Sequence, residues 1–404
     1  MLKNAEWEVV RDLLAERAVP AVTEDVVLDE CAGRVLGYDL KAEEAVPPFD
    51  RSAYDGYALR AEDVRTASGE NPVTLQITET IPAGETARRF VEAGYAAHLM
   101  TGAAIPSGAD CVINFERTEY TENTVTLFAP LREGENIVRR GEDVQKGEVL
   151  AAAGTMIDAG LAGTLAAQGR GRVTVFRKPA VGIISTGNEL VTPGMEQTEG
   201  KIRDANGPAF TALLTGEGCQ VQNLGVCGDD AAEIERQIRL GLDTCDALLL
   251  TGGVSVGDWD VTPEAMERCG VKMLVRGVNM KPGMACAFGE KDGKLIFGLS
   301  GNPASALTNY YACVMPAIRK LTGRRDLIPE RMIMHLKEDI KKKSPSVRFL
   351  RGRLDLKDGL VGFVPSFGQG NVMLADMIGC NAFAVIPAGS GALPAGTRVT
   401  GFQV

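Results

Sequence analysis

DALLLTGGVSVGDWDVT, residues 246–262, decides the fold class, because an apolar run ends here in a glycine-rich turn that is followed by acidic residues. Two further apolar runs also end in a glycine-containing turn, VGIISTGNELV at 181–191 and LIFGLSGNPASALTNYYACVM at 295–315, and the first of these has an acidic residue beside the turn. Between 179 and 325 such apolar runs alternate with amphipathic helical stretches, which is typical of βαβ units and a parallel sheet. Ligands of these sheets bind beyond the carboxyl ends of the strands, so we expect the three turns to converge on one site.

The turns favour a ligand with negative charge. Gly252, Gly253 and Gly257 permit positive φ and expose backbone N–H groups that can hold an oxyanion. Asn302 is a suitable N-cap and Pro303 suits the first helical position, so a helix start also points at this site. A single glycine turn after a strand is usually only a turn. Three in one domain, two of them beside acidic residues, favour a phosphorylated small molecule.

Acidic residues near the turns predict a magnesium site. Glu189, Asp229, Asp258 and Asp260 follow the apolar runs closely, and Mg²⁺ commonly binds one or two carboxylates together with substrate phosphates. The alternative is a solvated acidic rim or a set of helix caps, since Asp229 stands where a helical stretch opens. Lys281, in MKPGMA, either neutralises phosphate as a point charge or is an exposed turn lysine.

Composition and charge argue against several classes of protein. The chain has 404 residues, 45% of them hydrophobic and 24% charged, which is ordinary for a globular protein of about two to four domains. A net charge of −10 argues against nucleic acid and anionic membranes as partners. No apolar run approaches the roughly 20 residues of a membrane span, and the N-terminus lacks the pattern of a signal peptide, so we expect a cytoplasmic protein.

The residue inventory also disfavours some kinds of site. Nine scattered cysteines form no CxxC pair, and His98 and His335 are the two histidines, so a zinc site is not expected and most thiols should be buried. Neither GxGxxG nor GxxxxGK[ST] occurs, which argues against a dinucleotide fold and a P-loop.

The change from helical to β-type sequence patterns along the chain predicts a multidomain α/β and β protein. Helices are expected at the N-terminus and in EDVVLDECAGRVLGYDL (24–40), and short β-branched strands dominate from about 70 to 150 and again near the C-terminus. The predicted domains are a discontinuous helical or linker domain (1–45 plus 145–178), a β insertion (46–144), an α/β domain (179–327) and a C-terminal β domain (328–404).

A series of motifs resembles the molybdopterin molybdenumtransferase (MoeA) family, which includes the E domain of gephyrin. The motifs run in order across almost the whole chain: PPFDRSAYDGYALR (47–60), MTGAAIPSGADCVI (100–113), NIVRRGEDV (136–144), STGNEL (185–190), LTGGVSVGDWD (250–260), MKPG (280–283) and GLSGNPASAL (298–307). The first and the fifth together are highly specific.

The resemblance implies a reaction and an architecture. Family members insert molybdate into the dithiolene of adenylylated molybdopterin, hydrolyse the adenylate with Mg²⁺ and release AMP, which gives the molybdenum cofactor. The implied fold combines a MogA-like α/β domain, an interrupted helical domain, a β insertion and a small C-terminal β-barrel. It forms an L-shaped homodimer whose active site lies between the α/β domain of one subunit and the β domain of the other. A molybdopterin adenylyltransferase and molybdoenzyme acceptors or chaperones are implied partners.

Matched residue by residue, the resemblance implies catalytic roles for Asp55, Thr101, Glu189, Asp260 and Lys281, with Glu189 and Asp260 as candidate Mg²⁺ ligands. The candidate substrate-binding residues are Gly252, Gly253, Ser255, Gly257, Asp258, Ser300, Gly301, Asn302, Pro303, Asp229 and Asp143. Asp55 could instead only form a turn with Gly56, and Asp143 could pair with Arg139 or Arg140.

The chain departs from the family pattern at a few positions. Met284 and Ala285 stand where members often have a second lysine and a proline, and Gly277 stands where some have a lysine, although Arg276 adjoins it. Ser300 replaces a frequent proline. We expect altered anion contacts rather than lost activity.

Three alternative functions remain open at this stage. The chain could be a molybdopterin-binding interaction scaffold without catalysis, or a related domain that adenylylates molybdopterin or binds the finished cofactor. Tungstate could also replace molybdate as the inserted oxyanion, because the two have nearly the same size and shape.

Overall fold

The computed structural model describes residues 1–255, 261–357 and 359–404. The chain divides into two compact units. The first unit comprises Met1–Tyr38, Ala153–Ala162 and Gly171–Val404, and the second comprises Asp39–Ala152 and Gly163–Arg170. The finer division into four domains stays a prediction.

The strands of the described residues are between two and ten residues long. In chain order they are β1 (Leu2–Ala5), β2 (Thr23–Val27), β3 (Leu40–Lys41), β4 (Arg51–Ser52), β5 (Gly56–Leu59), β6 (Val73–Ile81), β7 (Tyr95–Leu99), β8 (Cys111–Asn114), β9 (Thr118–Tyr120), β10 (Thr124–Leu127), β11 (Ile137–Val138), β12 (Val149–Ala151), β13 (Arg172–Phe176), β14 (Ala180–Thr186), β15 (Leu190–Val191), β16 (Ile202–Arg203), β17 (Gln220–Cys227), β18 (Ala247–Thr251), β19 (Lys272–Val278), β20 (Cys286–Lys291), β21 (Lys294–Leu299), β22 (Arg331–Leu336), β23 (Arg348–Lys357), β24 (Leu360–Pro365), β25 (Ala382–Ile386) and β26 (Arg398–Gln403).

Most of the α-helices lie in the first unit. They are α1 (Trp7–Arg17), α2 (Ala159–Ala167), α3 (Asn206–Gly216), α4 (Ala231–Thr244), α5 (Thr262–Arg268), α6 (Pro303–Asn309) and α7 (Met315–Leu321). A π-helical turn over Tyr310–Val314 joins α6 to α7. Pro316 explains this turn, because a proline cannot donate the helical hydrogen bond and its ring crowds the preceding turn.

A seven-stranded sheet of order β1-β19-β20-β21-β18-β14-β17 forms the centre of the first unit. The predicted parallel sheet is confirmed for β21, β18, β14 and β17, whereas β20 runs antiparallel to both of its neighbours. Every residue of β14 and β18 is buried, because hydrophobic clusters pack against both faces of the sheet. The sheet therefore fixes its strand ends rigidly.

The N-terminal region corrects one prediction. The helix expected over EDVVLDECAGRVLGYDL is wrong: β2 pairs antiparallel with β13, with Val26 opposite Val173, and a 3₁₀ turn follows at Leu28–Glu30. β-Branched residues favour the extended form, and a strand partner distant in sequence decided the outcome. β1, which the sequence did not reveal, pairs parallel with β19.

The two β regions agree with the predicted fold class. In the second unit, β8-β5-β7-β6-β10-β9 form a six-stranded sheet. Near the C-terminus, β22-β24-β23-β25-β26 close into a five-stranded barrel, of which every strand except β22 was predicted. Eight of the nine cysteines are buried, as expected, and burial raises the pKa of Cys219 and Cys286 to about 12, so these thiols are unreactive.

Candidate functional site

Three neighbouring strands, β21, β18 and β14, end at the same edge of the sheet and surround one cavity of about 560 Å³. The structure thus brings together turns that are far apart in sequence. Of the predicted site residues, this first cavity is lined by Glu189, Asp229, Gly252, Gly253, Ser255, Ser300, Gly301, Asn302 and Pro303.

The turn after β18 has no room for side chains. Gly252 and Gly253 have φ values of +102° and +61°. A Cβ on Gly252 would lie 2.3 Å from the carbonyl oxygen of Thr186, and one on Gly253 would lie 2.5 Å from Oγ1 of Thr262. Thr262 holds this backbone in place, because its Oγ1 donates to the Gly252 carbonyl at 3.0 Å and its N–H donates to the Gly253 carbonyl at 3.1 Å. Both glycines are therefore required by close packing as well as by backbone conformation.

A second set of contacts ties the start of α3 to the other turns. Asp204 is 5% exposed, and its carboxylate accepts from Oγ of Ser185 at 2.9 Å and from the N–H of Gly207 at 3.0 Å. Asn206 donates from Nδ2 to the carbonyl of Gly301 at 2.8 Å, whereas its Oδ1 is buried without a partner. These contacts hold the start of α3 against the end of β14 and the turn after β21.

Of the two predicted carboxylates that line the first cavity, Asp229 is held by hydrogen bonds and Glu189 is exposed. Asp229 accepts from the N–H of Asn188 at 3.0 Å, and Oδ1 of Asn188 accepts from the N–H of Asp229 at 3.1 Å. The helix-cap alternative applies to the neighbour instead, since Asp230 caps α4 by accepting from the N–H of Glu233 at 2.9 Å. Glu189 is exposed and precedes β15 directly.

These oxygens fit a hard divalent cation by donor type. Glu189, Asp229 and Asn206 line the same cavity. Mg²⁺ takes oxygen ligands and needs few from the protein when substrate phosphates supply the rest. Among the described residues, which do not include Asp258 and Asp260, no group of three or more His, Cys, Asp or Glu could hold a metal ion.

The third turn begins a helix as expected. Asn302 occupies the N-cap position of α6 and Pro303 opens the helix, although the Asn302 side chain makes no capping hydrogen bond. Instead, the N–H of Asn302 donates to Oγ of Ser300 at 3.2 Å. Ser300, which stands where the family often has proline, thereby orders the turn.

Lys281 lies next to the barrel rather than in the wall of the first cavity. Its N–H donates to the Val347 carbonyl at 2.9 Å, its carbonyl accepts from the N–H of Phe349 at 2.9 Å, and its side chain is exposed. The peptide bond to Pro282 is cis. The backbone of Lys281 is therefore fixed while its ammonium group is free to reach a ligand.

Asp55, Thr101 and Asp143 belong to the second unit. Asp55 follows β4 and accepts from both the N–H and the hydroxyl of Thr101, at 2.6 and 2.7 Å. These two bonds, the hydroxyl bond first, lower the pKa of Asp55 below its ordinary value. Asp143 has an exposed side chain, and neither arginine pairs with it, because Arg139 and the N–H of Arg140 both contact Asp50.

Three predicted residues, Gly257, Asp258 and Asp260, lie outside the described residues. Other cavity residues were missed by sequence reasoning. Thr186 is the last residue of β14 and Arg203 is the last residue of β16, and both line the first cavity near turns that the sequence predicts. Val372 and Leu374 come from a loop of the barrel, and no local signal in the sequence connects that loop with the α/β turns.

Three family models match the chain: MoeA N-terminal region (domain I and II) at residues 6–169, a probable molybdopterin binding domain at 182–320, and MoeA C-terminal region (domain IV) at 334–401. The resemblance seen in the sequence is thereby confirmed.

Full-length relatives show the same relationship. A molybdopterin molybdenumtransferase of Staphylococcus epidermidis is 36% identical over 93% of this chain and 90% of its own, and one of Staphylococcus aureus is 34% identical over 95% and 91%. The crystal structure of a molybdopterin biosynthesis MoeA protein from Pyrococcus horikoshii OT3 superposes with a TM-score of 0.86, at 31% identity over all of both chains. Within residues 1–255, 261–357 and 359–404, no helix combines the length and apolar character needed to cross a bilayer.

Proposed function

This chain belongs to the MoeA family of molybdopterin molybdenumtransferases, transferases of molybdenum cofactor biosynthesis, and from that premise we propose that it inserts molybdate into adenylylated molybdopterin. In the proposed reaction, water is added across the phosphoanhydride, AMP leaves and the pterin keeps its own phosphate. The observation that carries this proposal is the convergence of three glycine-bearing or N-capping turns on the first cavity.

The first cavity has the chemistry that this reaction needs. A phosphoanhydride is cleaved mainly by positioning and charge neutralisation, so preorganised N–H donors count for more than a protein nucleophile. The backbone at Gly252 and Gly253 is held by close packing, and the N–H of Gly252 donates to the Leu299 carbonyl at 3.0 Å. The proposed donors to the phosphates are therefore the N–H groups of Gly253 and Gly301. We assign phosphate binding to these turns. Asp229 and Asp143 are proposed as weaker candidates for contacts with the substrate.

Mg²⁺ is proposed to be held by Glu189 and Asp260, and when bound it would neutralise charge on the phosphate oxygens. Glu189 and Asp229 line the first cavity, and their carboxylate oxygens support an oxygen-ligated cation there. Lys281 is proposed to bring a positive charge to the oxyanion from its exposed position next to the barrel.

The activity test uses the whole chain with adenylylated molybdopterin, molybdate and Mg²⁺. We expect AMP release that requires both molybdate and Mg²⁺. AMP release without any oxyanion, or no release at all, would contradict the proposal and favour a scaffold or a cofactor-binding role. Replacing molybdate by tungstate in the same assay measures which oxyanion is preferred.

We further propose a homodimer in which Asp55 and Thr101 of one subunit serve the cavity of the other. Asp55→Asn and Glu189→Gln homodimers should each be inactive, while randomly mixed dimers of the two variants should recover about a quarter of the wild-type rate, because one intact site forms in each mixed dimer. Inactive mixtures that contain heterodimers would show that Asp55 acts within its own subunit.

A further inference from the structure

A cluster of aromatic rings lies beside Asp55 on the six-stranded sheet of the second unit. It consists of Tyr57 on β5, His98 on β7, Tyr120 on β9 and Phe115 after β8. We propose that this aromatic cluster and Asp55 bind the pterin ring of the substrate, the cluster by stacking and the carboxylate by accepting hydrogen bonds. This rests on the proposed function, because adenylylated molybdopterin is the molecule that supplies the pterin.

The four rings are in continuous contact. The ring centroid of His98 lies 5.0 Å from that of Tyr57 at an interplanar angle of 25°, and that of Tyr120 lies 6.3 Å from Tyr57 at 43°. Phe115 lies 5.0 Å from Tyr120 at 39°. Tyr57 is 2% exposed and anchors the cluster, whereas Tyr120 is 53% exposed. An exposed ring that is held by other rings offers a fixed surface on which a flat heterocycle can stack.

Backbone pairing fixes the rings relative to the carboxylate. Tyr57 is directly opposite His98, so the two side chains share a face of the sheet, and alternation along the strand places Asp55 on that face too. A Cβ on Gly56, between Asp55 and Tyr57, would lie 1.9 Å from the Ile113 carbonyl oxygen, so only glycine permits this approach of β5 to β8. The N–H of Phe115 then donates to the Asp55 carbonyl at 3.0 Å.

One oxygen of the Asp55 carboxylate is available to a ligand. Both bonds from Thr101 end on Oδ1, and no described residue donates to Oδ2. None of the ion pairs among the described residues includes Asp55. Burial lowers the pKa of His98, and the charge of Asp55 opposes this effect only in part, so the imidazole is mostly neutral at neutral pH and leaves the charge of Asp55 uncompensated.

The donors that an ionised carboxylate needs distinguish the two flat rings of the substrate. A pterin presents its 2-amino group and the adjacent ring N–H side by side on one edge, and a carboxylate accepts from both. Adenine presents its amino group beside an acceptor nitrogen, whose lone pair would face the negative charge. Both rings can stack on Tyr120, so Asp55 is the residue that favours the pterin.

Binding of free pterin and of lumazine to the full chain, measured by quenching of ligand fluorescence and by calorimetry, tests the role of Asp55. Lumazine has a carbonyl oxygen in place of the 2-amino group and keeps the flat bicyclic ring. We expect pterin to bind more tightly than lumazine. Asp55→Asn should remove this preference, because its amide offers one acceptor and one donor instead of two acceptors.

Substitutions of Tyr120 test the stacking surface. Tyr120→Leu keeps an apolar side chain without the ring, and we expect it to weaken pterin binding about tenfold and to raise the KM for adenylylated molybdopterin. Tyr120→Phe should bind like the wild type. Tyr95→Leu is the matched control, because Tyr95 is 41% exposed on β7 of the same sheet and lies outside the aromatic cluster, and it should leave both values unchanged.

Three results would overturn the inference: wild-type pterin affinity in Tyr120→Leu, no pterin binding by the wild type, or tighter binding of AMP than of pterin at Tyr120. Glu189→Gln, in the first cavity, should lose AMP release and keep pterin binding. Pterin binding by a wild-type protein that releases no AMP would contradict the proposed reaction alone, so the two failures are seen separately.

Discussion

Two adjoining cavities of the first unit, the first of about 560 Å³ and the second of about 590 Å³, differ in what forms their walls. The first cavity is formed by backbone at the carboxyl ends of parallel strands, with Gly252 and Gly253 packed against threonines. The second carries its positive charge on the side chains of Lys3 and Arg276, at the edge where β1 joins the sheet. A backbone donor is present whatever the side chain, whereas a side-chain charge is gained or lost by one substitution. Gly277 and Met284, two positions at which the chain departs from the family's sequence pattern, line the second cavity, where a charge can be lost by a single substitution.

The strongest test of this contrast is Gly252→Ala. The added Cβ would lie 2.3 Å from the Thr186 carbonyl oxygen at a φ of +102°, so the turn must move. We expect kcat/KM to fall about 100-fold, as for a displacement of roughly 1 Å in a site, and stability to fall by about 1–3 kcal/mol. Turnover assays and urea unfolding measure the two effects.

Gly216→Ala is the matched control for that substitution. Gly216 is the last residue of α3, and a Cβ there meets nothing within 4 Å. We expect unchanged activity and stability equal to or up to about 1 kcal/mol above the wild type. Normal activity in Gly252→Ala would show that the first cavity does not depend on its backbone.

A smaller effect is expected from salt. Partly exposed side-chain charges are screened by ions, whereas buried backbone donors are screened much less. The KM for adenylylated molybdopterin should therefore rise a few-fold between low and high salt, and Arg276→Gln should flatten this dependence. An equally steep salt dependence in Arg276→Gln would assign it to another cation, with Lys281→Gln as the next variant to measure.

The smallest effect concerns Asp55 in the second unit, a carboxylate held by a mixture of side-chain and backbone donors. Thr101 lowers the pKa of Asp55, so the carboxylate keeps its charge as the pH falls. Thr101→Val removes the hydroxyl donor and keeps the N–H donor, and it should move the acid limb of the kcat/KM profile to higher pH. Thr101→Ser should behave like the wild type. An acid limb that does not move in Thr101→Val would show that the ionisation of Asp55 does not set that limb.

Local patterns sufficed for the strands that are buried on both faces. The apolar runs at 180–185, 247–251 and 295–299 correspond to β14, β18 and β21, and their glycine turns meet as expected. Such runs report burial directly, since a fully covered strand has no polar face. The same logic located the turns that line the first cavity.

Elements that depend on distant partners were missed. β1 has four residues and no recognisable period, and it becomes a strand because β19 provides a partner. The sequence predicts a helix where β2 forms, because the pairing of β2 with β13 is not visible locally. Val372 and Leu374 reach the first cavity from the barrel, and Lys3 lies beside Arg276 only through the pairing of β1 with β19. These contacts join residues that are distant in sequence, so the spacing of residue types along the chain does not reveal them.

The pairing of β1 with β19 also bears on synthesis and on dissection of the protein. β1 (Leu2–Ala5) lies far before its partner β19 (Lys272–Val278) in the chain, so this edge of the sheet can form only after β19 has been synthesised. A gene fragment cut at residues 179–327 would encode the other six strands and leave β19 as an uncovered edge. Unprotected edges recruit strands from other molecules, and such a fragment is expected to aggregate where the intact chain does not.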